Sequence, residues 1–140
     1  ETIILKEQKE TLKSIAKLKQ EAKVPFQKYV RLRDVELACI SCGKTSKLKW
    51  DGGHFKKAEI YNGVIFDLRN CHKQCVHCNR DLHGNELMYR EGLVKRFSEE
   101  FVLQLEKDAW NTKDKIWSRA ELIEIKKHWL NELKKINSGI

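Results

Sequence analysis

Two Cys-x-x-Cys pairs, Cys39 to Cys42 and Cys75 to Cys78, constrain this chain more than any other feature. Four thiolates in two close pairs can close a tetrahedral zinc shell, and such a shell ties together stretches of chain that a small core could not hold alone. Five cysteines cannot all pair as disulfides, and in a reducing compartment they would not be expected to. The interval between the pairs is longer than that of an ordinary zinc ribbon and leaves room for a hairpin that carries chemistry. Asp51-Gly52-Gly53-His54 and Asn70 lie within it, and Asn79 follows the last cysteine directly. The fifth cysteine, Cys71, has two readings: an alternative ligand four residues before Cys75, or a small buried filler.

With 140 residues the chain suits one ordinary domain with helical extensions. No apolar run approaches the ~20 residues of a membrane span, so no membrane partner is expected, and no basic-then-apolar leader opens the sequence. A net charge of +8 favours a polyanionic partner such as nucleic acid, with a solvated lysine-rich surface as the competing explanation.

The periodicity predicts a helix from Thr2 to about Lys23, with a thin apolar stripe, and a second helix beginning at Pro25 and running to about Glu36. From Ile40 to Phe66 helical spacing disappears. Lys47-Leu48-Lys49-Trp50 and Val64-Ile65-Phe66 read as strand-like pieces of a two-stranded hairpin with a long irregular loop. Helical pattern resumes after Cys78, with a break at Gly84-Asn85 and an apolar set of Leu87, Tyr89, Leu93, Val94 and Phe97. Ser98 opens a short helix through about Lys107. Ser118, with Glu121 three residues on and Trp117 placed against Leu122, opens the last helix. The expected fold is α+β and mostly helical. A zinc-stapled ββα core at 38–97 is flanked by an N-terminal arm at 1–37 and C-terminal helices at 98–140.

Hydrolysing a phosphodiester needs a water nucleophile, a base for its proton, and positive charge near the scissile phosphate. His54 is the candidate base, since neutral imidazole accepts a proton near physiological pH. The glycines before it would permit unusual backbone angles and close approach of a phosphate chain. Asn70 is a candidate positioning residue that bonds backbone groups across the loop, against the plainer reading of an ordinary turn asparagine. Asn79 offers a carboxamide oxygen to Mg²⁺. A zinc shell would bring His54, Asn70 and Asn79 close together. Lys56, Lys57, His72, Lys73 and Arg80 are candidate DNA contacts, and His77 and His83 are weaker competitors for a role at the metal or phosphate.

This layout resembles a zinc-stapled HNH nuclease. More closely, Arg33-Asp34, Cys39-Ile40-Ser41-Cys42-Gly43, Trp50-Asp51-Gly52-Gly53-His54-Phe55, Asn70-Cys71-His72-Lys73-Gln74-Cys75-Val76-His77-Cys78-Asn79 and Gly84-Asn85 resemble the phage lambda NinG family, also called Rap. The order of knuckle, histidine, knuckle and asparagine is also similar to the phage endonuclease VII family, with its ββα-metal core. The resemblance implies a DNA endonuclease acting on branched recombination intermediates such as Holliday junctions and D-loops. It implies a structural zinc on the four knuckle cysteines, a catalytic Mg²⁺ or Mn²⁺ on Asn79, and the cytoplasm of a bacterial host as the compartment. A homodimer is expected, because symmetric cutting of a four-way junction needs two sites. The chain departs from the endonuclease pattern at Gly53, where relatives of that type carry an aspartate that binds the metal. Asp51 is the nearest carboxylate and the candidate second ligand, against a purely structural role. An HNH nuclease without structure preference and a zinc-stabilised DNA-binding module with a decayed site are the alternatives.

Overall fold

Helix α1, Ile15–Arg33, runs through Pro25 without breaking. A proline inside a helix forfeits one backbone hydrogen bond and crowds the preceding turn, which is why a stop is expected there. The stop does not occur, because the buried residues Leu18, Ala22, Phe26 and Val30 recur every fourth position on both sides of it and continue one apolar row. The computed structural model describes residues 13–138, so the predicted helix before residue 13 lies outside the described residues.

The expected hairpin forms, but from other segments. Strand β1, Trp50–His54, pairs antiparallel with β2, Cys71–Cys75, setting Trp50 opposite Cys75 and His54 opposite Cys71. Val64-Ile65-Phe66 is not a strand. Val64 closes a 3₁₀ turn at Asn62–Val64, and Val64 and Ile65 are buried as anchors of the long loop. A second turn, Leu68–Asn70, is capped by the Asp67 carboxylate, which accepts from the Arg69 N–H at 2.9 Å and delivers the chain into β2. All five residues of β2 are buried although none is β-branched, so packing and not propensity makes it a strand.

The second knuckle ends inside a π-type turn at His77–Asp81, which carries Cys78. His83, Gly84 and Asn85 then take left-handed backbone angles, which stop the turn where the glycine and asparagine suggested. Helix α2 follows at Glu86–Arg96 and buries Tyr89 and Leu93, while Leu87, expected on the apolar face, is exposed. Helix α3, Glu99–Asn111, runs past the expected end near Lys107, and the Ser98 hydroxyl accepts from the Phe101 N–H at 3.0 Å at its start. Helix α4 is Arg119–Ser138. Its capping box has both arms: the Glu121 N–H donates to Ser118 Oγ at 3.1 Å, and the Ser118 N–H donates to Glu121 Oε1 at 3.0 Å.

The contacts group into two compact units. One takes the described residues up to Pro25 with those from Trp117 onward; it buries Leu18, Ala22, Leu122, Trp129 and Leu133, and Glu21 accepts from Lys13 at 2.9 Å and Lys126 at 3.0 Å. The other, Phe26 to Ile116, has Ile40, Phe55, Tyr89, Leu93, Val102 and Leu105 as its core. Gly92 lies so close to the Ile40 carbonyl that no side chain would fit, which lets α2 approach the first knuckle. Among the described residues the fold is thus mixed, mostly helical with one small sheet. No helix among the described residues is long and apolar enough to cross a membrane.

Candidate metal centre and the two ends of the hairpin

The sulfurs of Cys39, Cys42, Cys75 and Cys78 all lie within 4.8 Å of one another, and Cys42 Sγ is 3.9 Å from Cys75 Sγ. Four sulfurs at about 2.3 Å from one tetrahedral ion would stand about 3.8 Å apart, so the set could hold zinc. Backbone N–H groups already face the sulfurs: Cys75 N–H donates to Cys39 Sγ at 3.3 Å, and Cys78 N–H to Cys75 Sγ at 3.4 Å. Burial raises the Cys39 thiol, but the N–H groups of Cys75, Cys42 and Ser41 outweigh it and bring it down to about 7. At Cys78 burial wins and pushes the thiol up to about 12. A divalent cation is what would let both sulfurs bind as thiolates together. Cys71 is not part of this set. It sits opposite His54 at the far end of the sheet, wholly buried, which settles it as a packing residue.

The candidate catalytic residues divide between the two ends of the hairpin. At the cysteine end, Asp51 accepts from Asn79 Nδ2 at 2.8 Å and from Arg80 through two bonds of 3.0 Å. Asp51 and Asn79 therefore touch, as two ligands of one ion would, but a guanidinium already occupies the carboxylate. At the other end, His54 Nε2 is 2.8 Å from the Ile65 carbonyl. A carbonyl only accepts, so Nε2 carries the hydrogen and the lone pair of the neutral ring sits on Nδ1.

Asn70 is fully buried beside this histidine. Its Oδ1 accepts from the Lys56 N–H at 2.8 Å, and its Nδ2 donates to the carbonyls of Lys56 at 3.0 Å and Val64 at 3.2 Å. The Phe55 N–H donates to its backbone carbonyl at 2.9 Å. The two residues after His54 are thus clamped from one side chain and its own backbone.

His54, Asn70 and Asn79 do not converge on one point as the knuckle order suggested. Asp51 and His54 are three apart in a strand, so they face opposite sides of the sheet and lie about 10 Å apart along it. The glycines between them serve packing and not unusual angles, since neither has a positive φ. A Cβ on Gly52 would meet Gln27 of α1 at 3.1 Å, and one on Gly53 would collide with the Gln74 side chain. Gln74 is a residue that sequence reasoning passed over. Its Nε2 donates to Ser41 Oγ at 2.9 Å and the Gly84 carbonyl at 2.7 Å, and its amide fills the space that an aspartate at position 53 would need.

The proposed DNA contacts fare unequally. Lys57 and Arg80 are exposed. Lys56 Nζ is 3.0 Å from Glu86 and lies over the Phe55 ring. His72 and Lys73 are buried and so withdrawn from any phosphate. Lys73 Nζ donates to the carbonyls of Val35 and Leu37 and sits 4.0 Å from the centre of the Trp50 ring. Burial drives the His72 imidazole down to about 3, so it stays neutral. Arg33 and Asp34 also act inside the fold: Arg33 donates to the Cys71 carbonyl at 2.8 Å and pairs with Asp34, which accepts from the Lys73 N–H at 3.1 Å. Together they tie the end of α1 to β2. His77 pairs with Asp81 on the surface, and His83 is exposed.

A family profile described as NinG, Bacteriophage Lambda NinG protein, matches residues 1–138. Protein ninG of Escherichia phage 933W is 34% identical over 120 residues, covering 86% of this chain and 58% of that protein. Protein ninG of Salmonella phage P22 is 35% identical over the same shares of both chains. Protein ninG of Escherichia phage lambda is 34% identical, with 57% of its own length covered. The chain therefore spans less than three fifths of these curated relatives. No solved structure matches it.

Proposed function

The chain belongs to the phage lambda NinG family, and from that premise we propose that it is a metal-dependent DNA endonuclease hydrolysing phosphodiester bonds in branched DNA such as four-way junctions and D-loops. The observation that carries this reading is the fixing of His54: the Ile65 carbonyl commits Nε2, and the Asn70 clamp holds the backbone that follows. A base must be held at a set angle to take a proton from water, and Nδ1 is the atom that would take it. The four cysteines hold one structural zinc per chain. Their role is to keep β1 and β2 in register, so that His54 stands on a rigid strand.

Asp51 and Asn79 supply hard oxygen donors for Mg²⁺ or Mn²⁺, provided Arg80 gives way. When bound, such an ion would stabilise charge on the phosphate and the leaving oxygen, which requires Asp51 and Asn79, now on the other face of the sheet about 10 Å along β1 from His54, to turn toward the histidine. The +8 charge, with exposed Lys57 among its contributors, draws the chain to the DNA backbone. Cutting both strands of a junction would take two copies, hence a homodimer.

A second reading has its own support. Arg80 already sits on the Asp51 carboxylate, and Asp51 faces away from His54, as in a zinc-stabilised DNA-binding module with a decayed site. Incubating a labelled four-way junction and its matched linear duplex with the protein and Mg²⁺ or Mn²⁺ separates the readings. The junction is expected to be cut and the duplex spared, and His54→Ala is expected to bind both without cutting. Equal cutting of both DNAs means a nuclease without structure preference. Binding with no cutting by the wild type means the module.

A further inference from the structure

The loop from Lys44 to Lys49 joins the first knuckle to β1, and both of its ends are fixed. The Cys39 N–H donates to the Lys44 carbonyl at 3.0 Å and the Gly43 N–H to the Cys39 carbonyl at 2.9 Å, with Gly43 in the left-handed region, so the knuckle closes on itself as the loop begins. At the other end Trp50 packs against the cysteine cluster and pairs with Cys75. Between these anchors Lys44, Leu48 and Lys49 are exposed, Leu48 completely, and Lys47 is half-buried.

No acidic residue lies between Ala38 and Trp50. Among the described residues the ammonium groups of Lys44, Lys47 and Lys49 make no ion pair and no hydrogen bond. By contrast Arg33, Lys56, Arg69 and Arg80, which flank the hairpin, are each held by a carboxylate. Three like charges on one short loop repel one another, and a polyanion that accepts all three relieves the repulsion and releases its own counterions. The Thr45 and Ser46 hydroxyls are exposed between them, and such groups also donate to phosphate oxygens. Lys49 stands two residues before Asp51, whose carboxylate holds Asn79 and Arg80. A strand of DNA bound along the loop therefore runs past the end of the hairpin that would take the divalent ion.

We propose that this loop is a docking surface for the DNA backbone, in which Lys44, Lys47 and Lys49 each neutralise a phosphate of a strand led toward Asp51. The inference rests on the nucleic-acid reading above and deepens it by assigning the surface. An anionic lipid headgroup carries the same charge, and Leu48 is an apolar tip. One leucine is much smaller than an acyl chain, which by itself gives only marginal membrane binding, so a charged loop with so little apolar area fits DNA better.

The test is a salt titration of binding, followed by the anisotropy of a labelled duplex and a labelled four-way junction with the full zinc-loaded chain. Each phosphate contact steepens the plot of log affinity against log salt by about 0.9. Replacing Lys44, Lys47 and Lys49 together by Gln is expected to flatten the slope by about 2 to 3 on both DNAs and to lower affinity about ten-fold or more at moderate salt, with zinc content and helicity unchanged. Replacing Lys28, Lys95 and Lys107 by Gln removes the same net charge at exposed positions outside the loop and is expected to keep the wild-type slope. An unchanged slope in the loop variant, or equal flattening in both variants, overturns the loop as the docking surface. Loss of zinc from the loop variant overturns it too, since the lysines would then serve as counter-charges to the thiolates. Pelleting with phosphatidylserine vesicles that needs the loop lysines, beside DNA binding that does not, assigns the surface to lipid instead. Each of these results leaves the endonuclease reading in place, whereas a wild type that binds neither DNA overturns both.

Discussion

The two ends of one hairpin, built of two five-residue strands, are fastened by different means. Where Trp50 faces Cys75, four sulfurs that could hold a zinc ion gather beside the Asp51 carboxylate with its Asn79 and Arg80 partners. Where His54 faces Cys71, the chain is held by the Asn70 amide, the Ile65 carbonyl and buried apolar side chains, none of which needs a metal. On the function proposed above, the difference is a division of labour in which a zinc ion would set the register of the strands and the amide sets the angle of the histidine, so that the end carrying the proposed base is the one held without zinc.

The largest expected effect strikes the cysteine end. Cys78→Ser should release the zinc and unfold the hairpin, since the binding energy of a structural zinc, about 10–16 kcal/mol in small peptides, is also folding energy. Metal analysis and hydrogen exchange across β2 would show it. If β2 stays protected in a protein without zinc, the amide end holds the hairpin by itself. Next comes His54→Ala, expected to slow junction cleavage by about two to four orders of magnitude while zinc content and DNA affinity stay at the wild-type level. Cutting that survives at roughly a tenth of the normal rate or more removes His54 as the base.

Asn70→Ala should be smaller and should be felt at the other end alone. It strands the Lys56 N–H and the carbonyls of Lys56 and Val64, at a cost of about 1–3 kcal/mol. A lower urea midpoint with an unchanged slope and full zinc would locate the loss there. Zinc that leaves with it would mean the two ends are one cooperative piece.

Those same residues show how much the sequence could convey. The knuckles, the capping box of α4 and the break at Gly84-Asn85 are local codes, written in residues a few positions apart, and each is found where it was expected. The hairpin partner of β1 was not legible, because Cys-His-Lys-Gln-Cys has no strand propensity and becomes a strand only by burial. Pro25 misled for the same reason, as an apolar row spanning both sides of it overrides a local signal. In the site, the residue types were visible but their facing was not. His72 and Lys73 look like DNA contacts on a basic segment, yet they point into the fold, and Gly53 is explained only by Gln74 across the sheet.

Arg80 is where the two ends of the hairpin can be compared most finely, and its removal should have the smallest effect. Its side chain is mostly exposed and its pair with Asp51 is screened by solvent, so Arg80→Ala should leave stability close to that of the wild type. Its effect on cleavage depends on what Asp51 is for. If Asp51 and Asn79 receive the divalent ion, removing Arg80 takes away a competing cation, and the Mg²⁺ concentration for half-maximal cutting should fall by a few-fold, roughly what an exposed ion pair of that strength allows. If the guanidinium itself provides the positive charge at that end, the same variant should cut more slowly at every Mg²⁺ concentration, with no shift in the midpoint. A Mg²⁺ titration of cleavage by the wild type and Arg80→Ala, with Asp51→Asn beside them, tells the two apart. The ion-site account requires Asp51→Asn to raise the midpoint that Arg80→Ala lowers; movement of both in the same direction leaves Asp51 as a partner for Arg80 and nothing more.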